Sequence, residues 1–488
     1  MTLTTTDPFD DDKLKEECGV FGIIGKDSAA AMAALGLHAL QHRGQEAAGI
    51  VSFDGEHFHS HHGIGHVGEN FNSETVINRL MGSASIGHTR YSTTGEASLR
   101  NVQPLFADFD FGGFAICHNG NLTNAYSLHK QLVKRGCLFR STSDTEVIIH
   151  LMAMARTGNV IDRLIEALKQ IDGAWSVVCL ANDMVIGARD PWGVRPLVLG
   201  KLEDAYVLAS ETCALDIIGA TFIRDVEPGE IVVLETGKGV RSIKPFPKHA
   251  PKFCIFEYIY FARPDSSVEG RSVYEMRKQI GKELAREYPV EADIVVPVPD
   301  SGTPAAIGYA EESGISFDLG IIRNHYVGRT FIQPGDRIRH LGVKLKHNAN
   351  RRFIEGKRVI LVDDSIVRGT TSTKIVEMIR SAGAKEVHMR ISSPPTRHSC
   401  FYGIDTPQPE KLLAHKYTVE QMGRFIGVDS LAFISLDGLY RAMGEVKRNA
   451  GEPQYCDACF SGDYPIKLTD LNSNVPQGEL SFLAKASE

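Results

Sequence analysis

Two carboxylates stand side by side at Asp363-Asp364, directly after the apolar run Val359-Ile-Leu-Val and directly before Ser365-Ile-Val-Arg-Gly-Thr-Thr. A buried strand that ends this way and turns into a helix offers backbone N–H groups and hydroxyls beyond its carboxyl end, where open α/β sheets bind ligands. A phosphate suits that loop, and Gly369 permits close approach. Adjacent carboxylates repel phosphate, so they must face vicinal ribose hydroxyls or a bound Mg2+. The string is also compatible with a plain strand-to-helix turn capped by Asp. A second chemistry sits at Cys18, which opens the apolar run Cys-Gly-Val-Phe-Gly-Ile-Ile-Gly after an acidic stretch over residues 1–17. By itself that run is equally a buried strand. A third is the ligand-like spacing Cys456-Asp-Ala-Cys459, with Cys254 and Cys400 far off in sequence. Redox, zinc and iron–sulfur chemistry all remain open for such thiols.

The elements that must position these groups fall into two textures. From residue 18 onward, strand-like runs at 84–89, 113–118, 175–181 and 206–210 alternate irregularly with helical stretches at 28–42, 144–156 and 160–170, the first with Ser28 as its expected cap. That order predicts an α+β layered domain. Residues 236–252 carry glycines, prolines and lysines and read as a linker, with a boundary near 245. Beyond it, Ile294-Val-Val-Pro, residues 357–364, a helix over 371–382 ended by Gly383, and Glu386-Val-His-Met-Arg-Ile form a βαβ pattern with a buried parallel sheet. Residues from about 471 read as a polar tail.

A chain of 488 residues implies more than one core. Its 43% hydrophobic and 23% charged content is that of a soluble globular enzyme. The net charge of −7 argues against a broad nucleic-acid-binding face. No apolar run is long enough to span a membrane, and residues 1–17 have neither the basic start nor the apolar stretch of a targeting signal. The expectation is a cytoplasmic protein. Cys117, Cys137, Cys179 and Cys213 read as small buried apolar residues.

The Asp363 string resembles the phosphoribosyl pyrophosphate (PRPP) motif of type I phosphoribosyltransferases. The resemblance implies that Asp363 and Asp364 hold the ribose hydroxyls directly or through Mg2+, and that Ser365, Ile366, Val367, Arg368, Gly369 and Thr370 cradle the 5′-phosphate. Val296-Pro-Val-Pro-Asp-Ser-Gly resembles the family's pyrophosphate loop, with Ser301 near the metal. Tyr326-Val-Gly-Arg-Thr-Phe-Ile resembles its closing loop, with Arg329 toward the pyrophosphate.

Cys18-Gly-Val-Phe-Gly-Ile, His88-Thr-Arg-Tyr-Ser-Thr, Cys117-His-Asn-Gly-Asn and Ser143-Asp-Thr-Glu resemble, in the same order, the motifs of class II glutamine amidotransferases, which are N-terminal-nucleophile (Ntn) hydrolases. That resemblance implies Cys18 as nucleophile, Asn119 and Gly120 as its oxyanion hole, Arg90 on the glutamine α-carboxylate and Asp144 on the α-ammonium. Asn-Gly is also a common turn, and Asp144 equally suits a helix cap. Arg43 has a supporting role, and His88 and His118 are structural. The chemistry needs residues 1–17 removed as a propeptide, because only a free α-amine, with an unperturbed pKa of about 8 against about 8.5 for the thiol, serves as base.

Together the halves resemble the glutamine PRPP amidotransferases. The expected architecture is an Ntn αββα sandwich over 18–245, a type I phosphoribosyltransferase domain with a mainly parallel sheet over 246–465, and a tail over 466–488. The implied activity is amidophosphoribosyl transfer, in which ammonia from glutamine passes internally to PRPP and gives 5-phosphoribosylamine, in the first committed step of purine synthesis. The alternative is a PRPP-sensing regulatory paralogue without catalysis. The resemblance further implies a homotetramer inhibited by purine nucleotides, and, for the branch with a propeptide, a [4Fe–4S] cluster on Cys254, Cys400, Cys456 and Cys459.

Overall fold

The computed structural model describes residues 15–16, 18–91, 98–156, 158–324 and 347–471. Most of the leader, the loop holding Tyr326 and Arg329, and residues 472–488 lie outside the described residues. Two sheets stack in the N-terminal half. One has seven strands, ordered edge to edge Thr221–Asp225, Val198–Leu202, Ala205–Ala209, Gly19–Ile24, Ala84–Arg90, Ala47–Phe53 and Phe58–Ile64. The other has six, ordered Gly239–Ile243, Ile231–Glu235, Met184–Arg189, Gly173–Ala181, Gly112–Leu122 and Leu105–Phe109. Gly19–Ile24 is buried along its whole length. Val20 and Ile24 face the second sheet and meet Cys117, Val178 and Leu180, while Phe21 and Ile23 face the outer helix Ala29–Ala39. A strand covered on both faces reads as a continuous apolar run rather than an alternation. Helices Thr145–Met154 and Val160–Leu168 cover the second sheet through Phe114, Ile116, Trp175 and Val177. The layers are therefore helix, sheet, sheet, helix, as expected.

The C-terminal half centres on four parallel strands, ordered Ile294–Pro297, Arg358–Asp363, Glu386–Ile391 and Ser430–Phe433. Along Arg358–Asp363, Ile360 and Val362 enter one core, shared with Ile280 and Leu284 of helix Val273–Glu287. Val359 and Leu361 enter another, shared with Ile375 and Ile379 of helix Thr370–Ser381.

Three expectations are corrected. Ser28 stands at the N-terminus of helix Ala29–Ala39, but its φ is 63° and its side chain makes no capping bond. Residues 239–243, expected within a linker, pair with Ile231–Glu235 as an edge strand. Their Val240, Arg241 and Ser242 are exposed, and an edge strand open to solvent has linker-like polarity. Residues 466–470 are not loose. Asp470 accepts the backbone N–H groups of Tyr126 and Ser127 at 2.8 and 3.1 Å, satisfying orphan donors of helix Ala125–Lys134 in the other half.

The halves also share a core, in which Ala174 and Val194 pack with Phe253, Ile255 and Phe256. At its margin lies a solvent-free charge network. Glu257 pairs with Arg43 at 2.7 Å and with Arg195, and Arg43 also pairs with Glu211. These four side chains have no solvent exposure. Removing one partner of such a network leaves uncompensated buried charge, at a cost of about 3–5 kcal/mol. Glu257→Ala should therefore lower the urea unfolding midpoint strongly. Glu312→Ala, which breaks only the exposed pair with Arg286, should leave the midpoint unchanged.

Candidate active site

Cys18 directly precedes the central strand Gly19–Ile24, and its Sγ lies 3.8 Å from the Tyr91 carbonyl oxygen. Its backbone N–H donates to the Arg43 carbonyl at 3.0 Å. Its φ of 78° is in the left-handed region, which costs a non-glycine residue about 1–2 kcal/mol. In register, Val20 faces His88 on the neighbouring strand, and Arg90 ends that strand with little exposure.

The second sheet meets this point through Gly112–Leu122. The Cys117 thiol reaches the Gly87 carbonyl at 3.5 Å, and His88 Nε2 donates to the His118 carbonyl at 3.1 Å. The next residues, Asn119 and Gly120, therefore lie at the same end of the sandwich as the Cys18 strand. Asn119 is fully buried, and neither its amide nitrogen nor its amide oxygen has a hydrogen-bond partner among the described residues. Leaving such a group unsatisfied costs about 1–3 kcal/mol. Gly120 has a φ of 141°, and a Cβ there would lie 2.1 Å from the Ala174 carbonyl oxygen, so only glycine fits. The Asn-Gly pair is thus inside a strand and not a turn. Asp144 is buried and makes no side-chain cap to the helix that it precedes. Its Oδ2 accepts the Leu122 N–H at 3.0 Å, and its Oδ1 is 3.6 Å from His118 Nδ1. Burial opposes its charge, but His118 and the Leu122 amide outweigh burial and hold its pKa low.

In the C-terminal half, Asp363 ends its strand and Asp364 opens the loop, both buried. Asp364 accepts the Ser301 hydroxyl at 2.5 Å and the Ser365 hydroxyl at 2.7 Å, which brings the two sequence-distant loops together. Asp363 Oδ1 accepts the Asp364 N–H at 2.9 Å. Ile366 and Val367 are buried, Arg368 is partly exposed and Thr370 is exposed. Gly369 has a φ of 82°, and a Cβ there would crowd Leu413 Cδ2 at 2.7 Å. Buried Arg277 lies behind this loop. Burial pushes its pKa down to about 10, while the Asp364 charge acts in the opposite direction.

The four cysteines converge. Cys254 and Cys456 form a parallel backbone bridge, and the Cys459 carbonyl accepts the N–H groups of Arg397 and His398, which lead to Cys400. Burial pushes the Cys254 thiol up to about 12 and raises Cys456 and Cys459 well above the usual thiol range, with mutual repulsion adding to each. Among the described residues, however, no three such side chains stand in a metal-holding arrangement. Of the other cysteines, Cys117, Cys179 and Cys213 are buried and Cys137 is half-buried.

Sequence reading missed Glu211, Glu257 and Arg195, which fix Arg43 behind Cys18. Glu211 also accepts His42 at 2.7 Å and the Ser266 hydroxyl at 2.6 Å. The one available signal was the turn Asp190-Pro-Trp-Gly. Asp190 accepts the N–H groups of Trp192 and Val194 and so presents Arg195 to Glu257.

Comparison with known proteins gives one picture over the whole chain. A glutamine amidotransferase domain matches residues 88–216, and a phosphoribosyl transferase domain matches residues 272–393. The amidophosphoribosyltransferase of Rhizobium etli is 58% identical, covering 99% of this chain and 98% of that one. The chloroplastic amidophosphoribosyltransferase 1 of Arabidopsis thaliana is 52% identical, covering 97% and 82%. The solved structure of the Bacillus subtilis glutamine PRPP amidotransferase, complexed with ADP and GMP, superposes with a TM-score of 0.87 at 47% identity, covering 92% and 98%.

His88 links this geometry to pH. Burial pushes its pKa down to about 3, so the native imidazole stays neutral while the unfolded one takes a proton below about pH 6.5. The unfolded chain then binds more protons. The stability that His88 confers is complete above pH 6.5 and falls by about 1.4 kcal/mol per pH unit as the pH drops toward 3. Urea unfolding from pH 6 to pH 4 should show a slope shallower by that amount in His88→Gln.

Proposed function

The chain belongs to the amidophosphoribosyltransferase family, and on that footing we propose how its own residues divide the reaction. It joins a glutamine amidotransferase to a phosphoribosyltransferase and catalyses the first step of purine biosynthesis, making 5-phosphoribosylamine, glutamate and pyrophosphate from PRPP, glutamine and water. The relatives are named as enzymes, which leaves the regulatory alternative without support.

In this reading Cys18 is the nucleophile once residues 1–17 have been removed. Cutting the 17–18 bond ends the constraint on φ at Cys18 and turns its amide into an amine beside the Arg43 carbonyl. That amine takes the thiol proton, and the thiolate attacks the glutamine carboxamide. The Asn119 side chain and the Gly120 N–H stabilise the resulting oxyanion. Arg90 pairs with the α-carboxylate and Asp144 with the α-ammonium. Ammonia leaves, and water then hydrolyses the thioester to glutamate.

In the other half Asp363 and Asp364 hold the ribose hydroxyls directly or through Mg2+, with Ser301 beside the metal. The loop Ser365, Ile366, Val367, Arg368, Gly369 and Thr370 holds the 5′-phosphate, and Arg329, outside the described residues, is assigned to neutralise the leaving pyrophosphate. Hard oxygen donors at Asp363, Asp364 and Ser301 suit Mg2+, which when bound offsets the charge of the departing pyrophosphate.

The backbone links that gather Cys254, Cys400, Cys456 and Cys459 suit a thiolate-held [4Fe–4S] cluster, which would have to draw the four side chains in from their present arrangement, and a bound cation would relieve the cost of ionising thiols in a dry site. Its role would be structural. The reading extends to a cytoplasmic homotetramer inhibited by purine nucleotides, the last supported by the relative's complex with ADP and GMP.

The observation that carries the glutaminase assignment is the buried, unpartnered Asn119 amide beside the Cys18 strand. With protein that begins at Cys18, PRPP and Mg2+ should strongly stimulate glutamate release with matching pyrophosphate; indifference to PRPP would sink the assigned coupling. Asn119→Ala should lower the glutaminase kcat about 10²–10³-fold. It should leave the rate with added ammonia intact and thermal stability undiminished, since no bond is lost. Anaerobically purified protein should yield iron and sulfide in a 1:1 ratio, and a single zinc without sulfide would overturn the cluster.

A further inference from the structure

Gly120 is held from two sides. On one side its strand neighbour Ala174 leaves no room for a side chain, as described above. On the other lies the backbone of the C-terminal half. Gly403 has a φ of 103°, and a Cβ built on it would stand 2.9 Å from Gly120 Cα and 3.1 Å from its carbonyl carbon. Two backbones approach this closely only where both residues are glycine. The contact is tethered beside it by Asn121, whose Nδ2 donates to the Phe401 carbonyl at 2.9 Å.

The segment that delivers Gly403 is itself anchored. Buried Tyr402 donates its hydroxyl to the Ile466 carbonyl at 2.6 Å and accepts the Ile466 N–H at 3.0 Å. The Cys400 N–H donates to the Thr406 hydroxyl at 2.7 Å, closing the loop on its other arm. Upstream, the Ser392 N–H donates to the Asp363 carbonyl at 2.9 Å. The loop over residues 392–406 thus starts at the PRPP-type site and ends against the oxyanion strand.

We propose that Gly403 is a positioning residue for the glutaminase. Its backbone, pressed on Gly120 across the domain boundary, sets the direction of the Gly120 N–H. The inference rests on the assignment of that N–H to the oxyanion hole. An oxyanion donor must sit within a few tenths of an ångström of its working place, since a misplacement of about 1 Å costs about 10²-fold in rate. The glutaminase domain therefore does not complete its own hole.

The test uses the full chain that begins at Cys18. In Gly403→Ala the new methyl must push Gly120 away. The kcat for glutamate release should fall at least tenfold with KM for glutamine within twofold, while 5-phosphoribosylamine formation from added ammonia stays at the wild-type rate. Gly427→Ala adds the same kind of left-handed strain, φ 85°, with nothing within 4 Å of the new Cβ, and should change neither rate. Asn121→Ala removes the tether without adding an atom and should lower glutaminase kcat severalfold, again without touching the ammonia-dependent rate. Wild-type glutaminase kcat in both Gly403→Ala and Asn121→Ala would overturn the proposal. So would a parallel loss of both activities in Gly403→Ala combined with a wild-type Asn121→Ala. Full activity in Asn119→Ala would instead remove the oxyanion assignment on which the proposal rests.

Discussion

The Glu257 carboxylate, without solvent and paired with both Arg43 and Arg195, is the interaction on which the arrangement of the two halves depends. Both guanidiniums come from the glutaminase half, and the carboxylate comes from the start of the other. With Glu211 the network holds two positive and two negative groups, so the buried charge balances. Buried ion pairs of this kind add little net stability over apolar packing of the same volume. What they do oppose is slippage, because a shift of one half against the other would leave buried charges unpaired. The Arg43 carbonyl that receives the Cys18 N–H is fixed by the same residue whose side chain crosses the boundary. The position of Cys18 is therefore defined by both halves together.

The two candidate sites meet the cost of burying polar groups differently. Around Asp364 the hydroxyls of Ser301 and Ser365 and the neighbouring amide already satisfy the carboxylates. That loop is ordered by its own hydrogen bonds, and a ligand must compete with them. At Asn119 the reverse holds. The amide is desolvated and unanswered, so the fold carries a standing penalty, part of which a hydrogen-bond acceptor placed at Nδ2 would remove. One centre is organised by internal satisfaction and the other by its deliberate absence.

Sequence made the strands and the loop chemistry legible where one physical signal dominated. Residues 359–364 show it best, since a parallel strand with both faces buried is apolar throughout and stops where the ligand edge begins. Gly19–Ile24 was legible for the same reason. The edge strand Gly239–Ile243 was not, because exposed strands and linkers share a polar composition. Ser28 has a capping residue's identity, but its left-handed backbone denies it the bond. Nothing local to Glu257 or Arg195 marks either as interior; only tertiary packing buries them and makes them mutually dependent. Gly403 lies nearly three hundred residues from Gly120, and nothing local to either glycine announces that their backbones touch.

That contact, with the capping of helix Ala125–Lys134 by Asp470, bears on how such a chain can be rearranged. The fusion of a hydrolase to a transferase suggests parts that recombination could exchange. Here the strand Gly112–Leu122 of one part leans on a glycine of the other, and one of its helices begins on a carboxylate near the far end of the chain. A chimera joined near residue 245 would inherit two intact sequences and mismatched seams. Lineages of this architecture should exchange the whole pair or nothing, with substitutions along the shared surface arriving in matched sets.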